Sequence, residues 1–120
     1  MQTTITKSFN FEAAHQFDGY NEKCAKLHGH SYRFEVTISG PVITNGNYEG
    51  MITDFLEVSR IVDKEIISQW DHTLLNTVVS FRPTAELLAA EIFKRLKKAG
   101  LSVSKVRLWE TEKSSATVME

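Results

Sequence analysis

The sequence holds a single cysteine, Cys24, so no disulfide can close within the chain, and a reducing compartment suits it. Prolines are only two, Pro41 and Pro83, and no Pro-rich linker, internal repeat or low-complexity tract divides the chain. Neither sign of charge is in excess: 14 Lys and Arg face 15 Asp and Glu, a formal net charge of -1. A polyanion-binding surface needs clustered positive charge, so nucleic acid is not an expected partner. No apolar run approaches the ~20 residues of a membrane span, and residues 1–7 lack a signal peptide's apolar segment. The expectation is a cytoplasmic protein that makes no membrane contact. What is present is ordinary for a globular domain: 120 residues, 42% hydrophobic and 24% charged, enough for one core and one domain over residues 1–120.

Hydrophobic periodicity divides the chain further. Ile5, Phe9, Phe11, Ala13 and His15 share the odd positions of residues 5–17, the period of a half-buried strand, with Lys7 breaking the stripe. Tyr32, Phe34, Val36 and Ile38 alternate with Arg33, Glu35, Thr37 and Ser39 in a second strand, and His28 and His30 share its apolar parity. Gly40-Pro41 ends that strand and Asn45-Gly46-Asn47 is turn chemistry. Asp54 with Glu57 resembles a capping box ahead of a helix of about four turns through Phe55, Val58, Ile61 or Val62, Glu65 or Ile66, and Gln69. Residues 70–82 read as an irregular connection. Pro83-Thr84 opens a second helix, with Leu88, Ile92, Leu96 and Ala99 as its stripe and Gly100 as its stop. Lys94, Arg95, Lys97 and Lys98 near its end read as a solvated face that complements the helix dipole. Residues 103–111 and 115–119 read as further strands. Strands and helices in separate runs predict an α+β domain: a four-stranded antiparallel sheet with two helices on one face. Such a sheet leaves edges and a face that oligomerisation would cover.

The chemistry-bearing residues gather at strand ends. His28-Gly29-His30 places two imidazoles on one strand face, and two ligands do not hold a zinc ion. His15 shares the apolar parity of the first strand, so pairing of the two strands would supply the third. Three imidazoles with an open position are the pattern of a catalytic zinc site, and no carboxylate within these two segments completes an iron-type triad. Cys24, four residues before His28, is either a fourth ligand or an activated thiol; spacing does not separate the two. Asp71-His72 has the form of a carboxylate orienting a proton-handling imidazole. Glu110 sits on the packed face of a strand among Val106 and Leu108, where its two acceptors would suit a planar N–H/NH₂ edge such as a pterin's. Thr84 and Glu86 are candidates for the same pocket, or simply a helix start.

Taken together, Phe11-Glu12-Ala13-Ala14-His15, Cys24-x3-His28-Gly29-His30-Ser31-Tyr32, Gly50-Met51-Ile52-Thr53-Asp54-Phe55, Asp71-His72-x-x-Leu75-Asn76, Pro83-Thr84-Ala85-Glu86 and Trp109-Glu110-Thr111 resemble the 6-pyruvoyltetrahydropterin synthase family, in the family's order. That resemblance implies the tunnelling fold (T-fold), in which three subunits close a barrel and two trimers stack into a hexamer, with sites between subunits. It implies zinc on His15, His28 and His30, a catalytic Cys24, a proton-handling Asp71 and His72, and a pterin anchored by Glu110 with Thr84 and Glu86 nearby. Three residues between Cys24 and His28 match the 6-carboxytetrahydropterin synthases of queuosine biosynthesis, and position 27 is Leu, whereas folate-related variants place a Glu near the His-Gly-His. The implied reaction is the lyase conversion of 7,8-dihydroneopterin triphosphate to 6-carboxy-5,6,7,8-tetrahydropterin, with release of acetaldehyde and triphosphate. The alternatives are 6-pyruvoyltetrahydropterin formation by the same residues, or a non-catalytic zinc- or pterin-binding module.

Overall fold

The computed structural model describes residues 1–19 and 25–120. The period-2 stripes become two long antiparallel strands, β1 (Thr4–His15) and β2 (His28–Ser39), in register from Thr4 opposite Ser39 to His15 opposite His28. Phe9, Phe11, Ala13 and His15 are buried while Glu12 and Asn10 between them are exposed, as the pleat requires. Cross-strand aromatic pairs fix that register: Phe11 stacks on Tyr32 at 4.8 Å and Phe9 on Phe34 at 5.3 Å. Lys7, the break in the stripe, bends to the Ser59 hydroxyl at the sheet's helix side.

The remaining strands are β3 (Thr73–Leu74), β4 (Val103–Thr111) and β5 (Ser114–Met119), and the sheet order is β3-β1-β2-β4-β5. The four long strands pair antiparallel as the alternation predicts. β3 adds a two-residue parallel edge on β1, inside the stretch read as irregular. Two residues carry no periodicity, so no sequence signal announces it.

One face of the sheet is covered by helices. Helix α1 (Phe55–Val62) runs through a π-helical turn (Asp63–Ile67) into a last short turn (Ser68–Trp70). Asp54 caps it, accepting from the Leu56 amide at 3.0 Å. Glu57 does not complete the box; it pairs with Arg60 instead, one turn on. A short helix α2 (Leu75–Val78) follows β3. Helix α3 (Ala85–Lys98) is capped by Thr84, whose hydroxyl accepts from the Leu87 amide at 3.2 Å, and it ends before Gly100, where φ is +102°. Leu88, Ile92 and Leu96 meet Val58, Val62, Ile66 and Trp70 over Phe34, Val36 and Leu108 in one core. Among the described residues no helix is long and apolar enough to cross a membrane.

Candidate metal centre

The antiparallel register that buries Phe11 against Tyr32 also sets His15 opposite His28 at the end of the strand pair. His30 follows two residues along β2, so all three imidazoles emerge on the helix-covered face. From β4 comes Glu110. The β4–β5 ladder shifts between Trp109 and Thr111, leaving Glu110 outside the pairing, a bulge that frees its side chain to turn toward the histidines. One ligand atom from each of His15, His28, His30 and Glu110 lies within 4.8 Å of the others.

Hydrogen bonds set the ring states. His15 Nδ1 lies 2.9 Å from the Pro83 carbonyl and His28 Nδ1 lies 2.7 Å from the Lys26 carbonyl. A carbonyl only accepts, so both Nδ1 atoms carry the proton and both Nε2 atoms are left as bare lone pairs. Those two Nε2 atoms stand 2.9 Å apart. Two lone pairs at that distance repel unless a cation sits between them or one ring becomes an imidazolium. His30 Nε2 is buried with no hydrogen-bond partner among the described residues; the Glu110 carboxylate comes to 3.1 Å but out of line for a hydrogen bond. Burial holds His30 below the usual imidazole pKa, with Glu110 opposing and the neighbouring His15 and His28 adding to the depression. Neutral rings with outward lone pairs are what a metal ion takes, so the donor set fits one.

The surroundings support the rings rather than compete with them. His15 is fully buried, its ring 4.5 Å from that of Phe17, and the Tyr32 hydroxyl approaches its Nδ1 at 3.2 Å. Burial pushes the Tyr32 phenol well above its ordinary pKa, and the Glu110 charge adds to the shift. Such outer contacts fix ring orientation and tautomer. The sequence reading missed all of them. Tyr32 shares the parity of His28 and His30 and was open to discovery; the Pro83 and Lys26 carbonyls are backbone groups, which carry no residue signature. The carboxylate absent from the two histidine strands arrives from β4.

Gly29 pairs with Ala14, and a Cβ built on it would meet only the Ala13 carbonyl at 3.5 Å, an ordinary contact. The glycine is therefore not demanded by space between the ligands.

The other candidates are distributed differently. Glu86 and Glu110 line one cavity of about 380 Å³ with Ala85 and residues 114–118 of β5. The Thr84 hydroxyl is engaged as the α3 cap at the neighbouring turn. Asp71 and His72 do form a pair, Oδ2 to Nδ1 at 3.0 Å, and Asp71 Oδ1 accepts from the Glu12 amide at 2.9 Å. That amide and His72 hold the Asp71 carboxyl below its ordinary pKa. His72 is exposed and adopts φ of 60°, the left-handed region that a non-glycine residue rarely occupies. It borders a shallow depression lined by Glu12, Ala13, Ala14, Ser31 and, from the imidazole cluster, His30. The chain thus brings His15, His28, His30 and Glu110 together, and holds Asp71 and His72 as a separate pair. Cys24 lies outside the described residues.

Comparison with known proteins follows the same lines. The family model described as 6-pyruvoyl tetrahydropterin synthase matches residues 4–120. A Haemophilus influenzae protein named 6-carboxy-5,6,7,8-tetrahydropterin synthase is 39% identical over 97% of this chain and 98% of its own. An Archaeoglobus fulgidus protein named putative 6-carboxy-5,6,7,8-tetrahydropterin synthase is 42% identical over 92% of this chain and 90% of its own. The solved structure of Caenorhabditis elegans 6-pyruvoyl tetrahydropterin synthase superposes with a TM-score of 0.83 at 24% identity, covering 100% of this chain and 96% of that one. At that identity the likeness speaks for the fold.

Proposed function

Because the chain belongs to the 6-pyruvoyl tetrahydropterin synthase family and has its tunnelling fold, we propose that it is a zinc-dependent 6-carboxy-5,6,7,8-tetrahydropterin synthase. The reaction is a carbon–carbon lyase step on 7,8-dihydroneopterin triphosphate and water, giving the 6-carboxy product, acetaldehyde and triphosphate. Its place is queuosine (7-deazaguanine) biosynthesis in the cytoplasm. The observation that carries the metal chemistry is the 2.9 Å approach of His15 Nε2 to His28 Nε2, with both Nδ1 atoms held by carbonyls, beside the buried His30 Nε2. The choice of branch is supported by the names of relatives at 39% and 42% identity and by the Cys24-x3-His28 spacing.

In this reading His15, His28 and His30 hold the zinc, which when bound supplies Lewis acidity toward the oxygens of the substrate side chain. The chain's own groups do the rest. The Glu110 carboxylate accepts from the N–H/NH₂ edge of the pterin and fixes its register, with Glu86 in the same cavity and Thr84 at its edge. The Cys24 thiolate takes a proton from the substrate side chain. His72, oriented through Nδ1 by Asp71, exchanges protons at its free Nε2 during isomerisation, triphosphate loss and carbon–carbon cleavage. Asp71 and His72 stand outside the cluster of ligating atoms, and in this reading they serve the metal half of a neighbouring chain, in a barrel of three chains that stacks into a hexamer.

The test is product analysis. Zinc-loaded protein incubated with 7,8-dihydroneopterin triphosphate should release acetaldehyde and the 6-carboxy product, both identified by mass spectrometry. Formation of 6-pyruvoyltetrahydropterin without acetaldehyde would reassign the reaction, and zinc binding with no turnover would leave a binding module.

A further inference from the structure

Val58, Val62, Ile66 and Trp70 are all buried, and they recur at every fourth residue. On a regular helix of 3.6 residues per turn each such step overshoots by about 40°, so three steps would swing Trp70 about 120° off the core face. The π-helical turn at Asp63–Ile67 takes up this excess. It also explains why the sequence pattern offers Ile61 or Val62 and then Glu65 or Ile66 as the core positions: the period changes inside the helix.

A π turn frees carbonyls from the regular ladder, and here they find side-chain donors. The Ser68 hydroxyl donates to the Lys64 carbonyl at 2.8 Å, and Arg95 Nη1 on α3 donates to the Glu65 carbonyl at 3.2 Å. The same Nη1 reaches Gln69 Oε1 at 3.0 Å, Arg95 Nε is held by the Glu91 carboxylate at 2.8 Å, and the guanidinium lies 5.2 Å from the Trp70 ring. Arg95 therefore differs from the solvated Lys94 and Lys98 beside it: it is half-buried, and its Nε and Nη1 are both engaged. Immediately beyond Trp70 the chain delivers Asp71 and the left-handed His72, tied back by Thr73 Oγ1 donating to the Trp70 carbonyl at 2.6 Å.

We propose that Arg95 is a positioning residue for Asp71 and His72: by holding the π turn open and clamping Trp70, it sets the point at which the chain leaves the helix, and the Glu12 backbone then orients the pair. This rests on the reading of Asp71 and His72 as the proton-handling groups. No contact links Arg95 to either one in the described hydrogen bonds, so the effect passes through Glu65, Gln69 and Trp70. A displaced pair affects proton transfer, not pterin or metal binding, because His15, His28, His30 and Glu110 sit on other elements.

The experiment compares Arg95→Met, Arg95→Lys and His72→Gln in zinc-loaded protein. Arg95→Met should keep its zinc content and a KM within about twofold of the parent. Its kcat should fall about ten- to a hundredfold, the usual cost of a small misplacement. Arg95→Lys, which can fill only part of the site, should recover part of that loss. Hydrogen exchange gives a readout that needs no turnover: the amides of Asp71 and His72 should exchange faster in Arg95→Met, with β2 unchanged. If Arg95→Met folds poorly, Glu91→Ala, which releases one anchor of the guanidinium, should show the same pattern more weakly. Unchanged kcat and unchanged exchange at residues 71–72 in a folded Arg95→Met, with His72→Gln impaired, overturns the positioning role. Full activity in His72→Gln overturns the reading of the pair itself, and the two failures are thereby told apart.

Discussion

Two polar clusters hold the candidate functional groups, and they are built in opposite ways. The imidazole cluster is packed among Phe17, Tyr32 and the Pro83 carbonyl, with His15 fully buried and ring states set by carbonyls. The Asp71–His72 pair stands at the sheet edge, exposed, on a strained backbone, and oriented chiefly by one amide of β1. A metal site must be preorganised because its ligands repel one another without the ion. A proton-transfer pair needs access to its substrate, and exposure costs it little. Among the described residues one chain brings the four candidate ligands together, and Asp71 and His72 form a pair outside that cluster.

The largest expected effect falls on the first cluster. His28→Ala removes one of three imidazoles and should abolish stoichiometric zinc binding, measured by metal analysis after dialysis, and turnover with it. Retained zinc at one per chain would mean that Glu110 substitutes for a histidine. Next come Cys24→Ala and His72→Gln, which should keep zinc yet lose about 10²- to 10⁴-fold in kcat, the usual contribution of a positioned acid–base group. Loss of zinc in Cys24→Ala would instead make Cys24 a ligand and the site closed.

Smaller effects probe the supports. Tyr32→Phe deletes the hydroxyl beside His15 Nδ1 and should weaken zinc affinity by about tenfold, read by competition with a chelator. The mildest prediction concerns pH. In metal-free protein His30 has a lowered pKa, so the folded state binds fewer protons than the unfolded state just below pH 6.5. Stability of the metal-free protein should therefore fall as pH drops from about 6.5 through the folded His30 value, and zinc-loaded protein should lose stability more steeply, because its ligating rings take no proton while the unfolded ones do. Equal thermal midpoints for the metal-free protein at pH 7 and pH 5.5 would contradict this.

Much of the site was legible because it lies on long strands. Alternation puts Phe9, Phe11 and Phe34 on one face with the histidines, and the observed register, Phe9 opposite Phe34, sets His15 opposite His28. What escaped has identifiable causes. Trp70 read as loop because the π turn breaks the helical period just before it. β3 is too short to alternate. Glu110 read as an acceptor for a planar ring edge; its histidine neighbours come from β1 and β2, so nothing on its own strand announces them. Arg95 looked solvated because its partners, a freed carbonyl and a buried indole, exist only once the helices pack. Glu57 kept its capping-box spacing but found Arg60 closer at hand.

The most direct test of this division mixes two dead proteins. His28→Ala chains keep the Asp71–His72 pair and lack the metal half; His72→Gln chains keep the metal half and lack the pair. Unfolded together and refolded, they should form hybrid assemblies in which about a quarter of the sites join an intact metal half to an intact pair on a neighbour, as random pairing of two chain types dictates. Activity should rise from the background of either variant toward that fraction of the parent. Activity that stays at background in proven hybrids would contradict the account, because it would place both halves of every site in one chain.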